Sequence, residues 1–173
     1  PPAERGTIFA VLGNHDNPRL ADAALPLRFL RNESVSLEFF GIKLCLAGVD
    51  QSSRDAEDLD AALRDGRSQA PTILLAHYPS TAFRLPLGRV QLVLSGHTHG
   101  GQVCLPFYGA MVTMSKYGKA YEAGLYRNGA CRMYVSRGTG MEGGFMPRVR
   151  FSCRPEVAMI EVVSEKPQED AHR

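Results

Sequence analysis

Three short apolar runs set the pattern of this chain. Ile8-Phe9-Ala10-Val11-Leu12, Ile73-Leu74-Leu75-Ala76 and Val90 to Leu94 are continuous rather than alternating. Runs of this length read as strands buried on both faces. Each then breaks into polar residues with ligating atoms: Gly13-Asn14-His15-Asp16, His77-Tyr78-Pro79, and Gly96-His97-Thr98-His99-Gly100-Gly101-Gln102. Ligand groups in layered α/β proteins gather where strands finish, at the carboxyl edge of the sheet, so the three endings are expected to converge. In extended backbone His97 and His99 would turn both rings to one side, because side-chain direction repeats every second residue. The flanking glycines would let the main chain turn and keep the space above the rings free.

The remaining pattern predicts the frame around those strands. Asn17-Pro18 opens a helix over Arg19 to Ala24, which Pro26 interrupts. Val35 to Phe39 and Ile42 to Ala47 flank Phe40-Gly41 as a β-hairpin. Ser53 to Leu63 carries apolar Ala56, Leu59, Ala62 and Leu63 at helical spacing and Gly66 after its end, the pattern of a capped amphipathic helix. Asp55, Glu57, Asp58 and Asp60 read as its solvated face and favourable N-terminal charge rather than as metal ligands. Val103 to Ala120 is loop-like, with Phe107, Tyr108, Met111 and Met114 as apolar surface able to wall a pocket. Asn128-Gly129 between Leu125 to Arg127 and Cys131 to Ser136 signals a second hairpin. Ala158 to Val163 reads as a last strand, and the charged 164–173 segment, with His172, as a mobile tail. Strands alternating with helices early and hairpins late predict a mixed α/β layered domain over residues 1–163.

At 173 residues and 44% hydrophobic content the chain supports one domain with a core of its own. Twenty Lys and Arg against 18 Asp and Glu leave a formal charge of +2, which is no nucleic-acid footprint. Arg148, Arg150 and Arg154 form a local basic group, read first as a solvated face and second as a contact for phosphate. Cys45, Cys104, Cys131 and Cys153 are far apart and form no CxxC pair, so reduced, mostly buried thiols are expected. No uninterrupted apolar stretch approaches the ~18 residues of a membrane-spanning helix, and Pro1-Pro2-Ala3-Glu4-Arg5 is not a signal peptide. The chain starts without Met and enters a buried-looking strand almost at once, as an excerpt of a longer protein would. Gly138-Thr139-Gly140 and Gly143-Gly144 lack the Lys-Ser/Thr end of a P-loop and read as a rim loop. Ser95 and Ser136 lack a nucleophile-elbow context.

Imidazole nitrogens with amide or carboxylate oxygens suit manganese, iron or zinc, and the lack of nearby cysteines argues against a structural zinc knot. Gly13-Asn14-His15-Asp16, Ala76-His77 and Gly96-His97-Thr98-His99 together resemble the later motifs of the calcineurin-like metallophosphoesterases. The Gly-His-Thr-His-Gly-Gly-Gln form, followed by Leu105-Pro106 and by Arg150-Phe151-Ser152-Cys153-Arg154-Pro155-Glu156, resembles the bacterial branch of membrane-associated or exported phosphodiesterases.

The resemblance implies an αββα arrangement, N-terminally truncated here, and a hydrolase with two divalent ions and a metal-activated hydroxide. It implies that Asn14, His77 and His97 bind the second metal and His99 the first. His15 would contact the phosphate or protonate the leaving oxygen, oriented by Asp16. The family's earlier Asp-x-His and Gly-Asp motifs have no counterpart among Pro1 to Leu12. At most one weakly held metal and little turnover are therefore expected of this stretch without upstream sequence. The implied substrate is a phosphodiester or pyrophosphate, lipid-linked or nucleotide-like, and the implied location the cell envelope. The alternative from a different class is a non-catalytic metal- or anion-binding domain.

Overall fold

The structure, a computed structural model, describes residues 7–64, 70–113, 115–143 and 148–163. Its centre is a six-stranded sheet of β3 (Glu33–Phe39), β4 (Ile42–Gly48), β5 (Thr72–Leu75), β6 (Leu92–Ser95), β10 (Cys131–Val135) and β9 (Gly124–Asn128), in that spatial order. β4, β5, β6 and β10 run parallel, and an antiparallel hairpin closes each edge. The expected mixed layered α/β fold is thus present, with few helices. Two residues, β1 (Phe9–Ala10), pair in parallel with β2 (Arg28–Phe29) as a separate small sheet, and β7 (Cys104–Leu105) pairs with β8 (Gly109–Ala110).

The turn chemistry explains the edges. Phe40 and Gly41 both hold positive φ, 51° and 81°, as a two-residue hairpin with right-handed strand twist requires. The second hairpin turns at Gly129-Ala130, with Asn128 opposite Cys131 in the ladder.

The central strands bury side chains on both faces. Ala47, Leu74, Val93, Met133 and Val135 point to one side, where Ala62, Leu63 and Ala82 cover them. Helix α1 (Leu59–Ala62) and the 3-10 segment Pro79–Arg84 supply those covering residues or lie next to them. Leu37, Leu46 and Ile73 point to the other, joined by Leu30 and by partly buried Phe9, Val11, Leu75, Leu92 and Leu94.

Three expected elements come out differently. The helix over Arg19 to Ala24 is a single 3-10 turn, Pro18–Asp22, with the Asn17 side chain accepting the Arg19 N–H at 3.0 Å. None of its residues is buried, so no packed face prolongs it. The helix over Ser53 to Leu63 shrinks to Leu59–Ala62, because Asp58 is the N-cap and accepts the Ala61 N–H at 2.8 Å. Glu57, expected in solvent, instead accepts Gln51 Nε2 at 2.5 Å and pairs with Arg84 at 2.6 Å. Ala158 to Val163 forms no strand and joins no ladder among the described residues, with Met159 99% exposed. The 164–173 segment lies outside the described residues. No described helix is long and apolar enough to cross a membrane.

Candidate metal and phosphoester site

The three polar endings do meet at one edge of the fold. Beyond β1 the chain turns at Gly13–Asp16, where the Asp16 N–H donates to the Gly13 carbonyl at 3.0 Å and the Gly13 N–H to the Asp16 carboxylate at 2.8 Å. A Cβ on Gly13 would lie 2.6 to 2.8 Å from ring atoms of His77, so only glycine lets the turn lie against that imidazole. The next two endings are laced together: the Ala76 N–H donates to Leu94 O at 3.0 Å and the Gly96 N–H to His77 O at 3.1 Å.

The donor atoms of three expected ligands converge. His77 Nε2 lies 2.7 Å from Asn14 Oδ1, and His97 Nδ1 lies 3.3 Å from the same His77 nitrogen. The Tyr78 ring stands edge-on to His97, with centroids 4.6 Å apart. Burial, then the neighbouring His97 charge, pushes the His77 pKa down to about 4. Near neutral pH His77 is therefore an uncharged imidazole, the form a metal ion needs.

The His97-His99 pair corrects one expectation. The backbone is not extended: His97 and His99 hold φ of 69° and 51°, with Thr98 in the right-handed helical region between them. Gly100, Gly101 and Gln102 continue at 61°, 77° and 54°. The chain coils on leaving β6 at Ser95, so strand alternation does not aim these rings. His99 Nδ1 is buried without a hydrogen-bond partner, while the His99 carbonyl accepts Arg150 Nη1 at 3.1 Å.

His15 is 67% exposed, and its Nε2 pairs with Glu142 at 3.0 Å. The resemblance gave the orienting role to Asp16, yet the Asp16 carboxylate closes the Gly13 turn and the carboxylate on His15 is Glu142. Glu142 is held by Gln102, whose side-chain oxygen accepts the Glu142 N–H and whose Nε2 donates to the Glu142 carbonyl at 3.3 Å. One amide side chain thus makes both bonds that a neighbouring strand would make.

Two more residues support the site, Gln51, which was not singled out in the sequence, and Arg150, read there first as a solvated surface charge. Gln51, 1% exposed, accepts the Tyr78 N–H at 2.8 Å through Oε1 and donates to Thr81 Oγ1 at 2.8 Å, while its own N–H donates to Leu12 O at 3.1 Å. It ties the first ending to the second. The signal was present, since the run Leu44 to Val49 also breaks into a polar pair, Asp50-Gln51. Arg150, expected on a solvated face, donates to the carbonyls of His99, Arg137, Gly138 and Gly140, the last at 2.6 Å. Its charge is used inside the protein to hold two loops together.

The donor set suits one divalent ion. Bonds of about 2.0 to 2.1 Å place neighbouring ligand atoms about 2.9 to 3.4 Å apart, and the separations of 2.7 and 3.3 Å in the Asn14–His77–His97 triad lie close to that range. The triad depends on the Asn14 amide oxygen: among the described residues no group of three His, Cys, Asp or Glu side chains is placed to hold a metal.

Comparison with known proteins identifies the family. The calcineurin-like phosphoesterase family profile matches residues 2–101. The chain is 39% identical over 164 residues to the uncharacterized metallophosphoesterase YkuE of Bacillus subtilis (strain 168), covering 90% of this chain and 56% of that protein. It is 30% identical over 179 residues to phosphodiesterase YaeI of Escherichia coli (strain K12), covering 94% and 61%. A transmembrane protein with metallophosphoesterase domain from Bos taurus is 34% identical over 178 residues, covering 90% and 38%. No solved structure matches. The fold and its strand-end motifs are those of a calcineurin-like phosphoesterase domain. This chain belongs to the calcineurin-like phosphoesterase family, and it spans about half the length of the curated relatives it matches.

Proposed function

We propose that this chain carries the metal-ligand and proton-donor part of a phosphodiesterase or pyrophosphohydrolase that works through a dinuclear centre in the complete protein. The observation that carries this reading is the convergence of Asn14, His77 and His97 from three strand ends on one point. A divalent ion there supplies Lewis acidity at a phosphoryl oxygen. His77 meets the ion uncharged, and Gly13 and Tyr78 fix the plane of its ring. His99 is the ligand available to a second ion, with its unpartnered buried nitrogen as the supporting observation. Manganese, iron and zinc all suit these donors. His15, exposed beside the triad, gives its proton to the departing alkoxide, and Glu142 holds the ring in place at 3.0 Å. Asp16 acts one step back, by shaping the turn that presents Asn14 and His15.

The similarity to phosphodiesterase YaeI supports a phosphodiester as substrate class, and lipid-linked and nucleotide-like esters are the two forms to compare. The test is manganese-dependent hydrolysis of bis-p-nitrophenyl phosphate by the chain, beside a version with its upstream segment and His97→Ala in each. Metal uptake is measured in parallel by calorimetry. Uptake of about one ion by the chain, lost in His97→Ala, with turnover in the extended version only, is the expected result. Turnover or uptake untouched by His97→Ala would overturn the assignment. Metal uptake with silence in both versions would make the protein a binding domain instead.

A further inference from the structure

Cys104 and Cys153 stand at opposite ends of the later sequence, and the fold brings their sulfurs to one oxygen. Cys104 Sγ donates to the Gly100 carbonyl at 3.2 Å, and Cys153 Sγ to the same carbonyl at 3.3 Å. The backbones that carry them run side by side. The Cys104 N–H donates to Phe151 O at 2.9 Å, the Phe151 N–H to Gln102 O at 2.9 Å, and Val103 lies opposite Phe151 in a parallel bridge. Ser152, at φ 49°, breaks the strand alternation that would otherwise turn Cys104 and Cys153 to opposite faces. Cys45 and Cys131, the other two cysteines, sit on different strands, β4 and β10.

We propose that Cys104 and Cys153 are an oxidation site, a dithiol that closes to a disulfide across the mouth of the His97-to-Gln102 loop. The oxidant is a small disulfide such as oxidised glutathione. Cys104, the more accessible sulfur, loses its proton and attacks one glutathione sulfur, releasing one glutathione thiol. Cys153, 3% exposed, then loses its proton and attacks the Cys104 sulfur of the mixed disulfide, expelling the second glutathione thiol. Two protein thiols are oxidised and one glutathione disulfide is reduced to two thiols. Burial, and next the Cys153 thiol beside it, push the Cys104 thiol up, so the exchange is slow at neutral pH and faster in mildly alkaline buffer.

The consequence lies at the ligand loop. Cys153 Sγ also donates to the His99 carbonyl at 3.3 Å, and a Cβ on Gly100 would meet that sulfur at 2.8 Å. Oxidation replaces the weak hydrogen bonds of two thiols, the Cys153 proton being shared between two carbonyls, with one covalent tie between the strand that follows this loop and the segment that carries Arg150. The assignment is independent of the reaction proposed above.

The experiment is to hold the folded chain in oxidised glutathione, quench with acid, alkylate the remaining thiols and map peptides without reduction. The expected result is a product lighter by two hydrogens with Cys104 joined to Cys153, reversed by dithiothreitol. The link should persist in the Cys45→Ser, Cys131→Ser double variant and vanish in Cys104→Ser. A glutathione adduct that stays on Cys104, a bridge between any other pair, or a link formed only in urea would overturn the proposal. Cys104→Ser changes the half-buried partner, so the test does not depend on the buried Cys153 tolerating substitution.

Discussion

The two faces of the six-stranded sheet are built from alternate residues of the same strands, yet they are finished differently. On one face Ala47, Leu74, Val93, Met133 and Val135 are each 0% exposed, closed over by Ala62, Leu63 and Ala82. On the other, Leu75, Leu92 and Leu94 are only partly buried, and Leu75 and Leu94 line a groove of about 510 Å³ with Phe9, Tyr134, Val157 and Ile160. His77 lies at one end of that groove. The difference teaches where the site gets its rigidity. Gln51, Thr81 and Tyr78 lock His77 from the closed side, and the open side leaves the imidazole reachable.

The largest effect that would break the comparison is in the core. Leu74→Ala removes a fully buried side chain from the closed face and is expected to cost ~2–5 kcal/mol in urea unfolding. Next comes Gly13→Ala, whose new methyl would sit inside the contact distance of the His77 ring and displace it. Manganese or zinc affinity, measured by calorimetry, should fall on the order of 10- to 100-fold with the fold retained, as for groups that orient a ligand. Unchanged affinity would mean that the Gly13 turn does not set the position of the ring.

The third prediction concerns acid. His77 is held at about 4, below the 6.5 of an unconstrained histidine, so the unfolded chain takes up the proton first as pH falls. His77 therefore costs no stability above pH 6.5, erodes it progressively from pH 6.5 to about 4, and adds no further slope below. Metal-free urea midpoints should follow that window, and His77→Asn should flatten it. A midpoint independent of pH through the window would show that water from the groove keeps the ring solvated. The smallest effect is Leu75→Ala, one residue from Leu74 but on the open face, expected to cost about 1 kcal/mol because part of the side chain is already in water. Equal costs at the two positions would erase the distinction between the faces.

The parts legible in the sequence are those set by short-range rules. The continuous runs ending at His77 and His97 became β5 and β6, the Phe40-Gly41 turn joined β3 to β4, and Asn14, His77 and His97 met as their strand ends foretold. What escaped is set by distant partners. Alternation misjudged His97 and His99 because the chain leaves the strand one residue before the first of them, in left-handed conformations. The helix over Ser53 to Leu63 had the right periodicity, yet Asn32 Oδ1 takes the N–H groups of Asp50 and Asp58 and Gln51 takes Glu57, which holds its first half in loop form. Glu142 could not be paired with His15 from spacing, because the pairing runs through Gln102. Arg150 read as a surface charge because carbonyl acceptors leave no trace in a sequence.

The Gln102 clamp has a further consequence for how this molecule can change over evolutionary time. Because a single side chain grips one residue by both its N–H and its carbonyl, it works as an index mark on the loop from Gly138 to Gly143. Substitutions in that loop leave the count unchanged, but an insertion of one residue before position 142 would seat Met141 in the grip and slide the carboxylate out of reach of His15. The clamp therefore constrains the loop's length, while positive φ at Gly138 constrains its composition there. Relatives that keep both a Gln at this position and an acid opposite the exposed histidine are expected to keep the same spacing between Ser136 and that acid.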